Sequence, residues 1–343
     1  MKHNTSPVLA LATGIHKADA EHLHQALGPT FPLLCTEGSI ESINPETLSQ
    51  VQILLPFIHP TIGPAEMEAM PRLRLIATRS TGYDHIDLQA ATQRGILVAN
   101  VPGYGETAVA EYTFGLLLTV SRKLHLAYRS VQQASEPTRQ LQGFDLYGKT
   151  LGVIGAGAIG LHVIRIARGF GMQVLAYDVM PNRIFAEVLG FLYVPLDELL
   201  ASSDVVSLHA PALPSTYHLL NTETFRKMKR GALLINTARG SLVETEALLW
   251  ALDNGILRGA GLDTLEDEDD LQHLEQALSP ARQQSVQHNQ ALMSHDNVVV
   301  TPHMAFNSIE AVHRILNTSA ANVLAFLRHQ PQNLVTQEKN ASI

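Results

Sequence analysis

Three short segments of this 343-residue chain carry side chains suited to reducing a carbonyl that lies next to a carboxylate. Arg239 sits in Ile235-Asn236-Thr237-Ala238-Arg239-Gly240, and Glu268 closes Gly261-Leu262-Asp263-Thr264-Leu265-Glu266-Asp267-Glu268. His303 follows Val300-Thr301-Pro302 and precedes Met304-Ala305-Phe306. A carbonyl that receives a hydride develops negative charge on oxygen and needs a proton donor, a role that fits an imidazole titrating near neutrality. A carboxylate on the other ring nitrogen holds the tautomer and stabilises the imidazolium. A guanidinium grips a substrate carboxylate through two N–H bonds and polarises the carbonyl. The chain has 16 histidines, and position after an apolar strand and Pro302 is what separates His303 from the rest. His22 and His24 read as solvent-exposed residues and not as a metal pair.

The hydride source is implied by Thr150-Leu151-Gly152-Val153-Ile154-Gly155-Ala156-Gly157-Ala158-Ile159-Gly160, a G-x-G-x-x-G run placed between a strand and a helix. Gly155 makes the tight turn, Gly157 leaves room for a pyrophosphate, and Gly160 lets the helix lie close to the strand. The N–H groups of Ala158 and Ile159, at the positive end of the helix dipole, suit the phosphates. Alone the glycines are weak. An amphipathic helix (Ile159, Val163, Ile166, Phe170) and a second strand ending at Asp178, 18 residues beyond Gly160, make the run specific for a dinucleotide. A carboxylate at Asp178 accepts bonds from ribose hydroxyls and repels a 2′-phosphate, which favours NAD over NADP, although Arg183 would soften that repulsion.

These segments need a scaffold that gathers them, and the ends of parallel strands do so. Strand-like runs alternate with helical patterns almost throughout, the signature of an α/β fold. Val8–Ala12, Ile53–Leu55, Leu73–Ala77 and Ile96–Asn100 form a first block. Thr150–Ile154, Gln173–Tyr177, Val205–His209, Leu233–Asn236, Gly259–Asp263 and Val298–Thr301 form a second. Between the blocks an apolar helix is expected from Glu106 to about Leu126. Residues 266–295 read as a loosely patterned acidic, then Gln/His-rich, insertion. A final helix from about Ser308 to Arg328 is expected, opened by Asn307 with Glu310 three residues on.

Composition narrows the function classes. A net charge of −8 argues against nucleic acid, whose phosphates demand a basic face. No run approaches the ~18 apolar residues of a membrane span, and no signal peptide is convincing, so the cytoplasm is the default. The single cysteine, Cys35, excludes an intrachain disulfide and a Cys-based zinc site, and no metal is expected; Pro32-Leu33-Leu34 before it suggest a buried strand thiol.

From about Leu73 to Leu316 the sequence resembles the D-isomer-specific 2-hydroxyacid dehydrogenase family. The matching stretches include Arg79-Ser80-Thr81-Gly82-Tyr83-Asp84-His85-Ile86-Asp87, Asn100-Val101-Pro102-Gly103-Tyr104, Gly148-Lys149-Thr150, Ala238-Arg239-Gly240, Gly261-Leu262-Asp263 and Thr301-Pro302-His303. The resemblance implies that His303 is the general acid/base, that Glu268 orients it, and that Arg239 binds and polarises the substrate. Register from Gly261 picks Glu268, with Glu266 the alternative. The same resemblance implies a substrate carboxylate at Ser80, Thr81 and Gly82, and cofactor contacts from Ala210, Pro211, Thr216, Thr237, Ala238 and Asp263. Tyr104, Phe306 and the long insertion point to the D-lactate dehydrogenase branch. Gly103, Gly105 and Glu106 depart from it and leave the substrate open.

The expected architecture is a Rossmann-type doubly wound parallel sheet, residues 104–305, inserted into a flavodoxin-like α/β substrate domain of residues 1–103 plus 306–343. Hinges are expected near Val101 to Tyr104 and Met304 to Asn307. The expected protein is an NAD-dependent D-2-hydroxyacid dehydrogenase that works as a homodimer, with D-lactate and pyruvate as the leading substrate pair. The rivals are a glyoxylate/hydroxypyruvate reductase, a phosphoglycerate dehydrogenase and a non-catalytic NAD-sensing binding protein. Formate oxidation is disfavoured, because family members that perform it carry an amide where Glu268 stands.

Overall fold

The computed structural model describes residues 8–58, 61–133, 141–268 and 279–335. The chain divides into two compact units, one made of Met1–Tyr104 with Ser308–Ile343 and the other of Gly105–Asn307. Each is an α/β layer structure around a parallel sheet.

The first unit contains β1 (Leu9–Ala12), β2 (Leu33–Cys35), β3 (Val51–Leu55), β4 (Leu75–Ala77) and β5 (Leu97–Ala99), in the order β2-β1-β3-β4-β5 and all parallel. Residues along a strand alternate between faces, and a sheet covered on both sides needs apolar residues at every position. Ala10, Ala12, Ile53, Leu55, Leu75 and Ala77 pack on one side with Leu23 and Leu27 of α1 (Lys17–Leu27) and Leu316, Ala320 and Val323 of α13 (Ile309–Leu327). Leu11, Leu54 and Ile76 face the other core. Cys35 ends the edge strand β2 and is half-buried, since an edge position leaves one flank uncovered. The expected buried strand thiol is thus on a strand but only half-buried. His22 is also not simply exposed: its Nε2 lies 2.9 Å from Asn317 Oδ1 and its ring stacks on His313.

The helix α13 opens on Ser308, whose Oγ accepts from the Ala311 N–H at 3.2 Å, and not on Asn307. The hydroxyl one position later has the reach, so the expected capping box does not form.

The second unit orders seven parallel strands as β12-β11-β10-β9-β6-β7-β8. They are β6 (Thr150–Ile154), β7 (Gln173–Tyr177), β8 (Leu192–Tyr193), β9 (Val205–Leu208), β10 (Ala232–Asn236), β11 (Leu257–Leu262) and β12 (Val298–Val300). The chain runs outward from β6 through β7 to β8, then returns to lay β9 on the other side of β6. That reversal creates a crevice at the carboxyl ends of β6 and β9, where doubly wound sheets bind ligands. The two-residue β8 is too short to give a periodic signal and was not anticipated.

The apolar helix expected from Glu106 to Leu126 is two helices, α5 (Glu106–Ser121) and α6 (Leu124–Gln132). Lys123 adopts a left-handed conformation (φ +53°) between them, which no helix can absorb. The loosely patterned insertion contains a 15-residue helix, α12 (Pro280–Ser294), opened by Ser279 and Pro280; the part at 269–278 lies outside the described residues. Among its described residues the buried stripe is Val286, Asn289 and Leu292, too thin for apolar periodicity to reveal. Among the described residues, no helix is long and apolar enough to cross a membrane.

Candidate active site

The glycine loop joins β6 to α7 (Ala158–Gly169). Gly155 has φ +94°, and a Cβ there would stand 2.6 Å from the His209 carbonyl carbon. A Cβ on Gly160 would collide with the Gly155 carbonyl oxygen, so Gly160 lets α7 lie against the loop and Gly155 lets the loop lie against the chain after β9. Gly157 differs: it is the N-cap of α7, exposed, with open space around a built Cβ. Ala158 and Ile159 occupy the first turn, where N–H groups lack helical acceptors. The buried face of α7 is Gly160, Val163, Ile164 and Ala167, one position round from the expected stripe, and Phe170 instead stacks on Phe114 of α5.

Asp178 follows β7, and its carboxylate is partly spoken for. Oδ2 accepts from the Ala156 N–H and Oδ1 from the Met180 N–H, both at 2.8 Å. Each oxygen keeps acceptor capacity for a ribose hydroxyl. Across the crevice Thr216 Oγ1 donates to the Pro211 carbonyl at 2.7 Å and accepts from the Leu213 N–H at 2.8 Å, which shapes the turn after Ala210. Burial pushes the nearby His209 imidazole down to about 3, so it is neutral at physiological pH and cannot serve as a proton donor.

At the carboxyl end of β10, Asn236 closes the turn that carries Arg239. Its Oδ1 accepts from the Ala238 N–H at 3.0 Å and its Nδ2 donates to the Arg239 carbonyl at 2.8 Å. Gly240 then packs so tightly on Leu265 that any Cβ would strike the Leu265 carbonyl, which brings the Arg239 turn against the loop leading to Glu268. The half-buried Arg239 donates one Nη1 bond to Ala238 O at 2.9 Å. Thr237 is buried, and its hydroxyl bonds Thr113 of α5 at 2.9 Å.

His303 and Glu268 meet. His303 Nδ1 lies 2.6 Å from Glu268 Oε1, and Oε2 of the same carboxylate accepts from the Leu265 N–H at 3.1 Å. An ionised carboxylate only accepts, so Nδ1 is assigned the proton in this contact. Both side chains are largely shielded, at 20% and 26% exposure, which strengthens their attraction relative to water. The alternative carboxylate is engaged elsewhere: Glu266 Oε1 accepts from His218 Nε2 at 2.5 Å, and its Oε2 accepts from Thr245 Oγ1 at 3.0 Å.

His303 has φ +50°, a left-handed conformation that costs an L-residue about 1 kcal/mol. Asp263 holds it there. Buried to 1% exposure, its carboxylate accepts from Thr301 Oγ1 (2.5 Å), the Met304 N–H (3.0 Å) and the Ala305 N–H (2.8 Å), while its carbonyl takes the His303 N–H at 2.9 Å. A residue expected to contact the cofactor is thus also the anchor of the histidine loop. Phe306 is half-buried on the same loop, its Cβ near Gly105.

In the first unit, the carbonyls of Ser80, Thr81 and Gly82 are all engaged as acceptors. Ser80 O accepts from the Val101 N–H (2.9 Å), Thr81 O from Asn100 Nδ2 (2.8 Å) and Gly82 O from Ser80 Oγ (2.6 Å). Tyr104 is half-buried, and its carbonyl takes a bond from Arg314 at 2.8 Å. Arg79 carries the support that sequence reasoning missed. At 4% exposure it donates to the carbonyls of Thr13, Gly14 and Leu55, tying the ends of β1 and β3 to this turn, and burial lowers its guanidinium to about 10. Its signals in the sequence are its place two residues after the buried β4 and at the head of the matching stretch Arg79–Asp87.

Residues 114–305 match the family model described as D-isomer specific 2-hydroxyacid dehydrogenase, NAD binding domain. The chain belongs to the D-isomer-specific 2-hydroxyacid dehydrogenase family. A D-lactate dehydrogenase of Escherichia coli is 41% identical over 73% of this chain and 75% of its own length. A glyoxylate reductase of Korarchaeum cryptofilum is 40% identical over 85% of each. Among solved structures, the Aquifex aeolicus D-lactate dehydrogenase complexed with NAD and lactic acid superposes with a TM-score of 0.86, at 34% identity, covering 96% of this chain and 99% of that one.

This 2-hydroxyacid dehydrogenase is an NAD-dependent oxidoreductase, and its second unit is an NAD-binding domain of the Rossmann type. The glycine loop fits the cofactor on its own geometry, because Gly157 leaves its approach open where a side chain would stand and the first turn of α7 offers its N–H groups.

Proposed function

We propose that the dehydrogenase interconverts pyruvate and D-lactate with NADH, through Arg239, Glu268 and His303. The observation that carries this reading is the 2.6 Å contact between His303 Nδ1 and Glu268 Oε1. When bound, the reduced nicotinamide supplies a hydride to the carbonyl carbon. His303 Nε2 delivers a proton to the carbonyl oxygen, and Glu268 stabilises the imidazolium from the Nδ1 side. Arg239 pairs with the substrate carboxylate and offers N–H bonds to the oxygen as its charge grows. Gly155, Gly157, Gly160 and the amides of Ala158 and Ile159 take the pyrophosphate; Asp178 takes the ribose and sets the preference for NAD over NADP. Thr237, Ala238, Asp263 and the Ala210–Thr216 turn complete the cofactor crevice. The Ser80–Gly82 turn, its carbonyls already engaged, offers its N–H groups to a carboxylate; Tyr104 and Phe306 are assigned to the substrate side chain.

The test is NADH oxidation against pyruvate, 2-oxobutyrate, phenylpyruvate, hydroxypyruvate and glyoxylate. The expected result is the highest kcat/KM with pyruvate. A preference for glyoxylate or hydroxypyruvate would move the enzyme to the reductases, a reading favoured by the resemblance to the archaeal glyoxylate reductase. No turnover with any of them would favour a binding protein that senses NAD.

A homodimer is part of the same proposal. Leu124, Tyr128 and Val131 form an i, i+4, i+7 stripe on α6 that is 52%, 68% and 77% exposed. An apolar stripe of this kind seeks a partner surface. Light scattering should report twice the 37.4 kDa chain mass, and Tyr128→Glu should shift it toward the monomer. A wild-type monomer at micromolar concentration would refute it.

A further inference from the structure

We infer that Asn289, in the middle of α12, is a positioning residue that clamps the loop carrying Glu268. The inference rests on the relay assigned above to Glu268 and His303.

The buried stripe of α12 is Val286, Asn289 and Leu292, spaced i, i+3, i+6 at 7%, 0% and 1% exposure. Helix packing asks for an apolar residue at the central position. Asn289 instead donates from Nδ2 to the Glu266 carbonyl at 2.7 Å, while its Oδ1 is buried without a hydrogen-bond partner. A buried acceptor with no donor is costly, so a residue retained for stability alone would not be an asparagine.

What the asparagine holds is the approach to Glu268. Glu266 is fixed through its main chain by Asn289 and through its side chain by His218 and Thr245. The next residue, Asp267, takes the left-handed conformation (φ +52°), and Ser285, one helical turn before Asn289, donates to its Oδ2 at 2.8 Å. Two consecutive residues are thus pinned to α12, and the left-handed conformation of the second, Asp267, leads straight into Glu268, whose carboxylate meets His303. The helix that sequence patterning reads as part of an insertion is a buttress for the proton relay.

The test is Asn289→Leu, close in volume, without the donor and without the unpartnered oxygen. With saturating NADH, kcat is expected to fall about ten- to a hundredfold, since a shift of an ångström in a reacting group has effects of that size. NADH affinity should stay within about twofold, and any fall in Tm should be small, because the lost bond to the Glu266 carbonyl is offset by removal of the unpartnered oxygen. Hydrogen exchange should accelerate for amides 264–268 and be unchanged in the glycine loop. Unaltered exchange at 264–268 would overturn the clamp. So would a fall in Tm with faster exchange across the whole unit, which marks a general packing role. Local loosening with full turnover overturns it as well, provided Glu268→Gln is impaired in the same assay. If Glu268→Gln is as active as the wild type, the relay reading fails instead, and exchange at 264–268 alone decides the clamp.

Discussion

Replacing His303 with alanine should lower turnover about 10²- to 10⁴-fold and leave NADH affinity within about twofold. The size follows from what is lost. Without an acid at Nε2, the oxygen that accepts negative charge must take its proton from water, and positioned general acids contribute rate factors in that range. Binding should survive because the glycine loop, the α7 N-terminus and Asp178 do not depend on the imidazole. Folding should survive too, for the loop is held by Asp263 through the main chain and Thr301, and not through the His303 ring. Alanine at φ +50° carries a modest strain, so His303→Asn, a residue that tolerates the left-handed region, is the companion variant. Stopped-flow reduction of pyruvate in a single turnover, beside a fluorescence titration with NADH, separates the two effects. Loss of NADH affinity with unchanged hydride transfer would refute the assigned role.

Much of this arrangement is legible in the sequence, and the reason is physical. Strands buried on both faces must be largely apolar, so β1, β3, β6, β9 and β10 show as near-continuous runs. The glycine loop is legible because close backbone approach at Gly155 and Gly160 admits no other residue. Strand ends locate Arg239 and His303, since each follows an apolar run directly. The hidden parts depend on partners far away in sequence. Nothing local marks Asn289 as the donor to Glu266, 23 residues earlier, or Arg79 as the ligand of carbonyls 24 to 66 residues before it. In the acidic run at 266–270, composition alone reads as a solvated loop. Register from Gly261 favours Glu268, and hydrogen bonding then separates Glu266, held by His218 and Thr245, from Glu268, held against His303. The break at Lys123 is similarly silent, because a left-handed lysine leaves no compositional trace.

Arg239→Gln should reduce kcat/KM for pyruvate about 10²- to 10³-fold, through both a higher KM and a lower kcat. Removing one partner of a shielded, hydrogen-bonded charge pair costs 2–5 kcal/mol, and each ~1.4 kcal/mol is tenfold. Part of that loss is ground-state binding of the carboxylate, which appears in KM. The remainder is stabilisation of the growing oxyanion, which appears in kcat. The two are separable with Arg239→Lys, which restores the charge but not the planar fork. Lysine should recover most of the KM and little of the kcat, because a point charge attracts a carboxylate but cannot bond it and the neighbouring oxygen together. The turn itself should be indifferent to these changes, since Asn236 holds the Ala238 amide and the Arg239 carbonyl, and Gly240 sets the contact with Leu265. NADH affinity and Tm are therefore the controls. If Arg239→Lys recovers kcat and KM equally, the guanidinium supplies only charge, and the polarising role moves to another donor.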